Sequence, residues 1–185
     1  MTGLEFELER RKRKLKNRKQ KRDFLLWTVG WMLLLWVLLY GIFGIAFVEG
    51  SSMRPAYYEG DLVLYQRRFL GEPDYGDVVI ARMHMEGKDI NVIKRIAGRP
   101  GDVIDIDEKG HLTRNGEVSS ESEVKFGSQA GEDWVGYPYT VPEGSYFCLG
   151  DNRPVSLDSR VMGSVEREDI IGRVFGQFRI SVGNK

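Results

Sequence analysis

From Phe24 to Val48 the chain runs for 25 residues without a charged side chain. Wound as a helix at about 1.5 Å per residue, a run of that length exceeds the roughly 30 Å hydrocarbon core of a bilayer. The sequence is therefore read as three parts: a head over 1–23, a transmembrane helix over 24–48 and a folded body over 49–185. Secretory signals use apolar stretches of only about 7–15 residues, so the run is taken as an uncleaved anchor. Gly44-Ile45-Ala46 offers small residues in a small-x-small arrangement, and cleavage there, leaving a soluble product, is the lesser alternative. Lys and Arg together number 27, as do Asp and Glu, but the balance conceals a segregation. The head carries ten basic and four acidic side chains, which makes it +6 and the remainder −6. Cytoplasmic loops retain Lys and Arg, so the cluster from Arg10 to Arg22 implies a single-pass cell-membrane protein with its N-terminus cytoplasmic and its body outside. Trp27, Trp31 and Tyr40 suit the two interfaces, whereas Trp36 reads as apolar bulk. The cations of the head have the lipid bilayer as their partner, and the acidic body leaves no nucleic-acid footprint.

The 137 residues from Glu49 to Lys185 suffice for one domain with a proper core. Helical periodicity gives way there to short β-branched or alternating stretches at Leu62–Gln66, Val78–Met83, Ile90–Ala97, Val103–Ile106, Ser145–Leu149 and Ile171–Ile180. Turn residues separate them, among them Gly60-Asp61, Gly76-Asp77, Pro100-Gly101-Asp102, Asn115-Gly116 and Gly150-Asp151-Asn152. The fold class is mainly β, an antiparallel sheet domain behind a single N-terminal helix. The polar, Gly/Ser-rich segment 119–133 is read as a surface excursion. One cysteine, Cys148, allows no internal disulfide, and with two histidines it provides no dedicated zinc site. No metal and no cofactor is expected.

Three segments place specialised polar groups among turn residues: Glu49–Pro55, Asn91–Asp102 and Gly150–Arg160. Each alone is read first as a juxtamembrane turn or a strand reversal. Lys94 is more informative, because alternation along its strand puts Val92 and Ile96 on the lysine's side and Ile93, Arg95 and Ala97 on the other. A lysine among apolar neighbours either snorkels to water or has its pKa lowered by burial, and a neutral lysine can serve as a general base. Serine needs such a base to become a nucleophile, and Ser-Lys is one alternative to Ser-His-Asp. Ser52 and Lys94 fit that division of labour. His84, on a strand face, and His111, beside Gly110 in a hairpin, are weaker candidates.

Taken together, Ser-Met-x-Pro at Ser52–Pro55, Gly76-Asp77-Val78-Val79, Lys-Arg-x-x-Gly-x-Pro-Gly-Asp at Lys94–Asp102 and Gly-Asp-Asn-Arg-x-x-Ser-x-Asp-Ser-Arg at Gly150–Arg160 resemble bacterial type I signal peptidase. The likeness reaches from the anchor to about Gly163 and is closest to the Gram-positive form, with one anchor and a short excursion. It implies a membrane-anchored serine endopeptidase that removes signal peptides from exported preproteins, acting near the export machinery. By the same resemblance Ser52 is the nucleophile, with its backbone N–H donating to the oxyanion, and Lys94 is the general base. Ser156 would orient the lysine amine, Asp151, Asp158 and Arg160 would support the active-site loop, and Met53 and Ile93 would contact substrate. Some relatives carry a serine two residues before the nucleophile, where this chain has Gly50, and endoplasmic-reticulum-type relatives carry histidine in place of Lys94. A self-cleaving repressor of the same clan would need a DNA-binding domain where this chain has its anchor. The remaining rival is an inactive membrane-anchored β domain that binds a surface partner.

Overall fold

A computed structural model of the chain describes residues 3–67, 71–85, 87–107, 111–119 and 135–179. Nearly all of the 119–133 excursion, and Ile180, lie outside those residues. Two units are resolved, one ending at Gly41 and the other beginning at Ile42. The first is a single helix, α1 (Gly3–Ile42), which takes in the basic head as well as most of the uncharged run. Its stretch Lys16–Ile42 is long and apolar enough to cross a membrane.

The helix ends at Ile42 and not at Val48, which corrects the expected boundary. Phe43–Phe47 is strand β1, paired antiparallel with β2 (Leu62–Gln66) from Phe43↔Gln66 to Phe47↔Leu62. The reason is local: Phe43-Gly44-Ile45-Ala46-Phe47 alternates large outward with small inward residues, the period of a strand. A Cβ on Gly44 would stand 2.2 Å from the Tyr65 ring, so the close approach of β1 to β2 requires glycine. The residues Gly44-Ile45-Ala46, considered above as a cleavage point, therefore belong to a paired strand of the second unit.

The body is antiparallel. Its larger sheet has the order β1-β2-β11-β3-β4-β9-β10, with β3 (Val78–Met85), β4 (Lys88–Gly98), β9 (Ser145–Leu149), β10 (Val165–Glu166) and β11 (Ile170–Phe178). A smaller sheet, β7-β6-β5-β8, contains β5 (Val103–Ile106), β6 (Leu112–Arg114), β7 (Glu117–Val118) and β8 (Tyr139–Thr140). All six expected strands are present to within two residues at each described end, and the short β6, β7, β8 and β10 are additional. β6 and β7 are joined through Asn115 (φ 55°) and Gly116 (φ 82°), the pair of positive φ angles that a two-residue hairpin demands. β9 is buried along its whole length because it serves two cores. Tyr146 and Cys148 join Val79, Ala81 and Ile96, while Phe147 and Leu149 join Ala97, Ile104 and Leu112. Such side chains contribute about 1.5–3 kcal/mol each when fully buried. Of the strands that they fix, β4 carries Lys94 and β9 leads directly into Gly150–Arg160.

Candidate active site

β1 leads through Val48 into a tight turn that begins at Ser51. Val48 exchanges backbone hydrogen bonds with Gly60 and Asp61 (2.9 Å each), which closes the base of the loop. Within it Arg54 N–H donates to Ser51 O at 3.2 Å and Tyr57 N–H to Met53 O at 2.9 Å. Ser52 is thereby held at the head of the turn. Its backbone N–H has no acceptor among the described residues.

Lys94 lies on β4 opposite Val79, on the face that also carries Val92 and Ile96. It is 3% exposed and makes no ion pair among the described residues. Its Nζ is 3.0 Å from Ser52 Oγ. A charged amine would donate across that distance; a neutral one can instead accept the Oγ–H in its lone pair, which is the geometry of a general base. Burial lowers the Lys94 pKa. The negative charges of Asp158 and Asp151 pull the other way without touching the amine, and Arg160 adds to the lowering. Cys148 on the neighbouring strand is pushed up to about 12 by burial, so it stays an uncharged thiol.

The segment Gly150–Arg160 closes over this pair and is fixed by two ionic clamps. Asp158 caps the single-turn helix α2 (Ser159–Met162) and meets Arg160 through a fork of 2.8 and 3.0 Å. Its carboxylate also accepts Gly150 N–H at 3.0 Å, while Arg160 donates to Arg153 O at 2.7 Å. At the other end Asp151 takes a bidentate contact from Arg95 (2.8 and 2.7 Å), whose guanidinium also donates to Gly76 O at 2.7 Å. Arg95 thus uses the opposite face of β4 from Lys94 to hold the loop that covers it. Ser159 Oγ accepts Cys148 N–H at 2.9 Å, tying the loop to β9.

A groove of about 150 Å³ opens beside the pair, lined by Val48, Ser52, Val63, Ile80, Ile93 and Lys94 among others. β9 pairs with β4 only from Arg95 onward, so the backbone of Lys88–Lys94 on that side has no strand partner among the described residues. An apolar trough beside an unpaired strand edge suits an extended peptide.

Comparison with known proteins bears on what such a site does. The family model for signal peptidase, peptidase S26, matches residues 21–178. The chain belongs to the S26 signal peptidase family. It is accordingly a hydrolase, a serine peptidase that cleaves signal peptides. It is similar to signal peptidase I of Bacillus licheniformis, with 36% identity over 135 residues that cover 68% of this chain and 70% of that protein. Signal peptidase I S of Bacillus subtilis is 33% identical over 141 residues, 71% of this chain and 74% of that one. A crystal structure of a signal peptidase I from Enterococcus faecalis is 28% identical, covering 58% of this chain and all of that one with a TM-score of 0.45.

The structure brings Ser52 and Lys94 into contact and sets Asp151, Asp158 and Arg160 in the loop beside them, and Ile93 lines the groove. Two expectations do not hold. Ser156 does not hydrogen-bond the lysine: its Oγ is buried against Gly150, where an added Cβ would meet it at 2.1 Å, and has no partner among the described residues. Met53 is 1% exposed and does not reach the groove, because it points from the turn into the interior. The two histidines stand apart: His84 pairs with Asp89 at an exposed position and His111 with Asp107 in the smaller sheet. Arg95 was legible as facing away from Lys94, but its partner is 56 residues distant in sequence and no local signal names it.

Proposed function

We propose that Ser52 and Lys94 form the catalytic dyad of a membrane-anchored signal peptidase. The observation that carries this is the 3.0 Å contact between Ser52 Oγ and an amine that is buried without a counter-ion. Neutral Lys94 takes the Ser52 proton as Oγ attacks the scissile carbonyl. The tetrahedral oxyanion is met by the Ser52 backbone N–H, and the ammonium returns its proton to the leaving amine. Water, deprotonated by the same lysine, then releases the acyl-enzyme. Asp151, Asp158 and Arg160 need no proton-transfer role, since each is engaged in holding the loop.

The substrate, by likeness to the signal peptidases, is the signal peptide of an exported preprotein. It adds as a strand to the open edge of β4, with small side chains entering the groove beside Ile93. The +6 head keeps the N-terminus in the cytoplasm and α1 crosses the bilayer, so the domain works outside. The full chain in lipid vesicles should trim a preprotein, and Ser52→Ala should not. Cleavage by Ser52→Ala would overturn the dyad. In spheroplasts, external protease should digest the body and spare the head; a protected body would overturn the topology.

A further inference from the structure

Asn152 lies in the loop beside the nucleophile and takes no part in the clamps described above. Its side-chain Nδ2 donates to Ser51 O at 3.0 Å, and its backbone N–H donates to Ser52 O at 2.8 Å. The first of these bonds bears on chemistry, because Ser51 C=O and Ser52 N–H are the two ends of one peptide plane. In a trans peptide they point in opposite directions and turn together. A donor that fixes the carbonyl therefore fixes where the N–H is aimed. That N–H is the one without an acceptor among the described residues.

We infer that Asn152 is a positioning residue for the oxyanion: it aims the Ser52 N–H by holding the carbonyl at the far end of the same peptide. The inference rests on the Ser52/Lys94 reading above. Arg54 N–H also donates to Ser51 O, at 3.2 Å, so the carbonyl has two holders and loss of one loosens the plane without freeing it. Donation to a carbonyl also polarises its peptide and strengthens the N–H as a donor. Both effects are felt where negative charge develops, and neither reaches the lysine or the groove. The backbone bond from Asn152 N–H to Ser52 O survives any side-chain change, which isolates the contribution of Nδ2.

The test uses the full chain in lipid vesicles with Asn152→Ala and Asn152→Leu; the second keeps about the side chain's size and removes its donor without adding a charge near Lys94. Removing an oxyanion donor outright costs about 100- to 1,000-fold in kcat. Misaiming it should cost less, about 10- to 100-fold in both variants, with KM within about twofold and the acidic limb of the pH profile unmoved. A peptide aldehyde gives the sharper readout. Ser52 Oγ adds to its carbonyl carbon, the serine proton passes to Lys94, and the aldehyde oxygen becomes the oxyanion. Its affinity should fall by about the factor lost in kcat, while that of an unreactive peptide of the same sequence stays constant. Unchanged kcat and aldehyde affinity in a folded variant would overturn the assignment. So would a shifted acidic limb, which would put the effect on Lys94, or equal weakening of both peptides, which would put it on the groove. If Asn152→Ala unfolds, Asn152→Leu decides on the same readouts, and collapse of both would make Asn152 a folding residue and overturn the positioning role. Failure of the dyad itself is read separately, from an active Ser52→Ala enzyme.

Discussion

Lys94 and Arg160 are buried equally, each 3% exposed, and the domain treats them in opposite ways. Arg160 is met by the fork of Asp158 and by two backbone carbonyls, so its charge is neutralised where it stands. Lys94 is met by one serine hydroxyl. A buried charge is expensive unless it is paired. The paired cation becomes a permanent brace, and the unpaired one is pushed towards its neutral form. Residue chemistry agrees with the assignment, since guanidinium does not give up its proton in proteins whereas an ammonium does so readily when buried. The loop and the strand beneath it therefore hold one braced cation and one unpaired cation, distinguished by whether a carboxylate is in contact.

The largest effects should come from breaking the chemical half. Lys94→Met and Ser52→Ala should each lower kcat/KM by at least about 1,000-fold in a preprotein cleavage assay, and the double variant should be no worse than either. Lys94→Arg should be as inactive as Lys94→Met, because it keeps the charge and loses the proton acceptor. An active arginine variant would erase the distinction between the two sites.

Breaking the structural half should show in stability first. Asp158→Asn leaves Arg160 buried without its counter-charge and should cost about 3–5 kcal/mol in denaturant unfolding of the solubilised protein. Adding Arg160→Met should recover part of that loss. If Asp158→Asn unfolds like the wild type, the pair is no brace.

Smaller, and opposite in sign, is the effect of Lys94→Met on folding. A lysine whose folded pKa lies below its unfolded value of about 10.4 destabilises the fold fully below the folded pKa. That cost fades as pH rises between the two values and is gone above the unfolded one. Lys94→Met should therefore be more stable than wild type by about 1 kcal/mol at neutral pH, the order expected for removing a buried polar group. The gain should disappear as the pH passes about 10.4. Of the same order, Arg95→Gln should cost about 1 kcal/mol or less, since that pair is partly solvated, with side-chain exposures of 25% and 13%.

Much of this contrast is legible in the amino-acid sequence alone. The alternation of Val92, Lys94 and Ile96 places the lysine on an apolar face, and β2, β3, β4, β9 and β11 of the larger sheet declare themselves by their strand-like patterning. The end of α1 does not, because Phe43–Phe47 is as uncharged as the helical stretch Phe24–Ile42 that precedes it and the apolar run continues past Ile42. Only the Phe-Gly-Ile-Ala-Phe alternation marks the switch. Within the site, the family resemblance is what points to Asp158 and Arg160 and to the role of Ser52, but contacts across more than 50 residues are invisible. Arg95 to Asp151 and Asn152 to Ser51 are of that kind. Asn152 reads as a turn residue because in sequence it is one, and its second role exists only once the loop lies against Ser51. Ser156 is the reverse case, a hydroxyl whose expected hydrogen bond to the lysine is not formed.

The claim that burial without a counter-ion lowers the Lys94 pKa is tested most directly by titrating it. Selectively labelled lysine in the full-length protein, followed by NMR across the alkaline range, reads the Lys94 pKa beside those of the exposed lysines of the head. The account predicts a Lys94 midpoint clearly below theirs, coinciding with the acidic limb of the cleavage rate. A Lys94 that titrates with the exposed lysines near 10.4, while the enzyme still works at neutral pH, would contradict it.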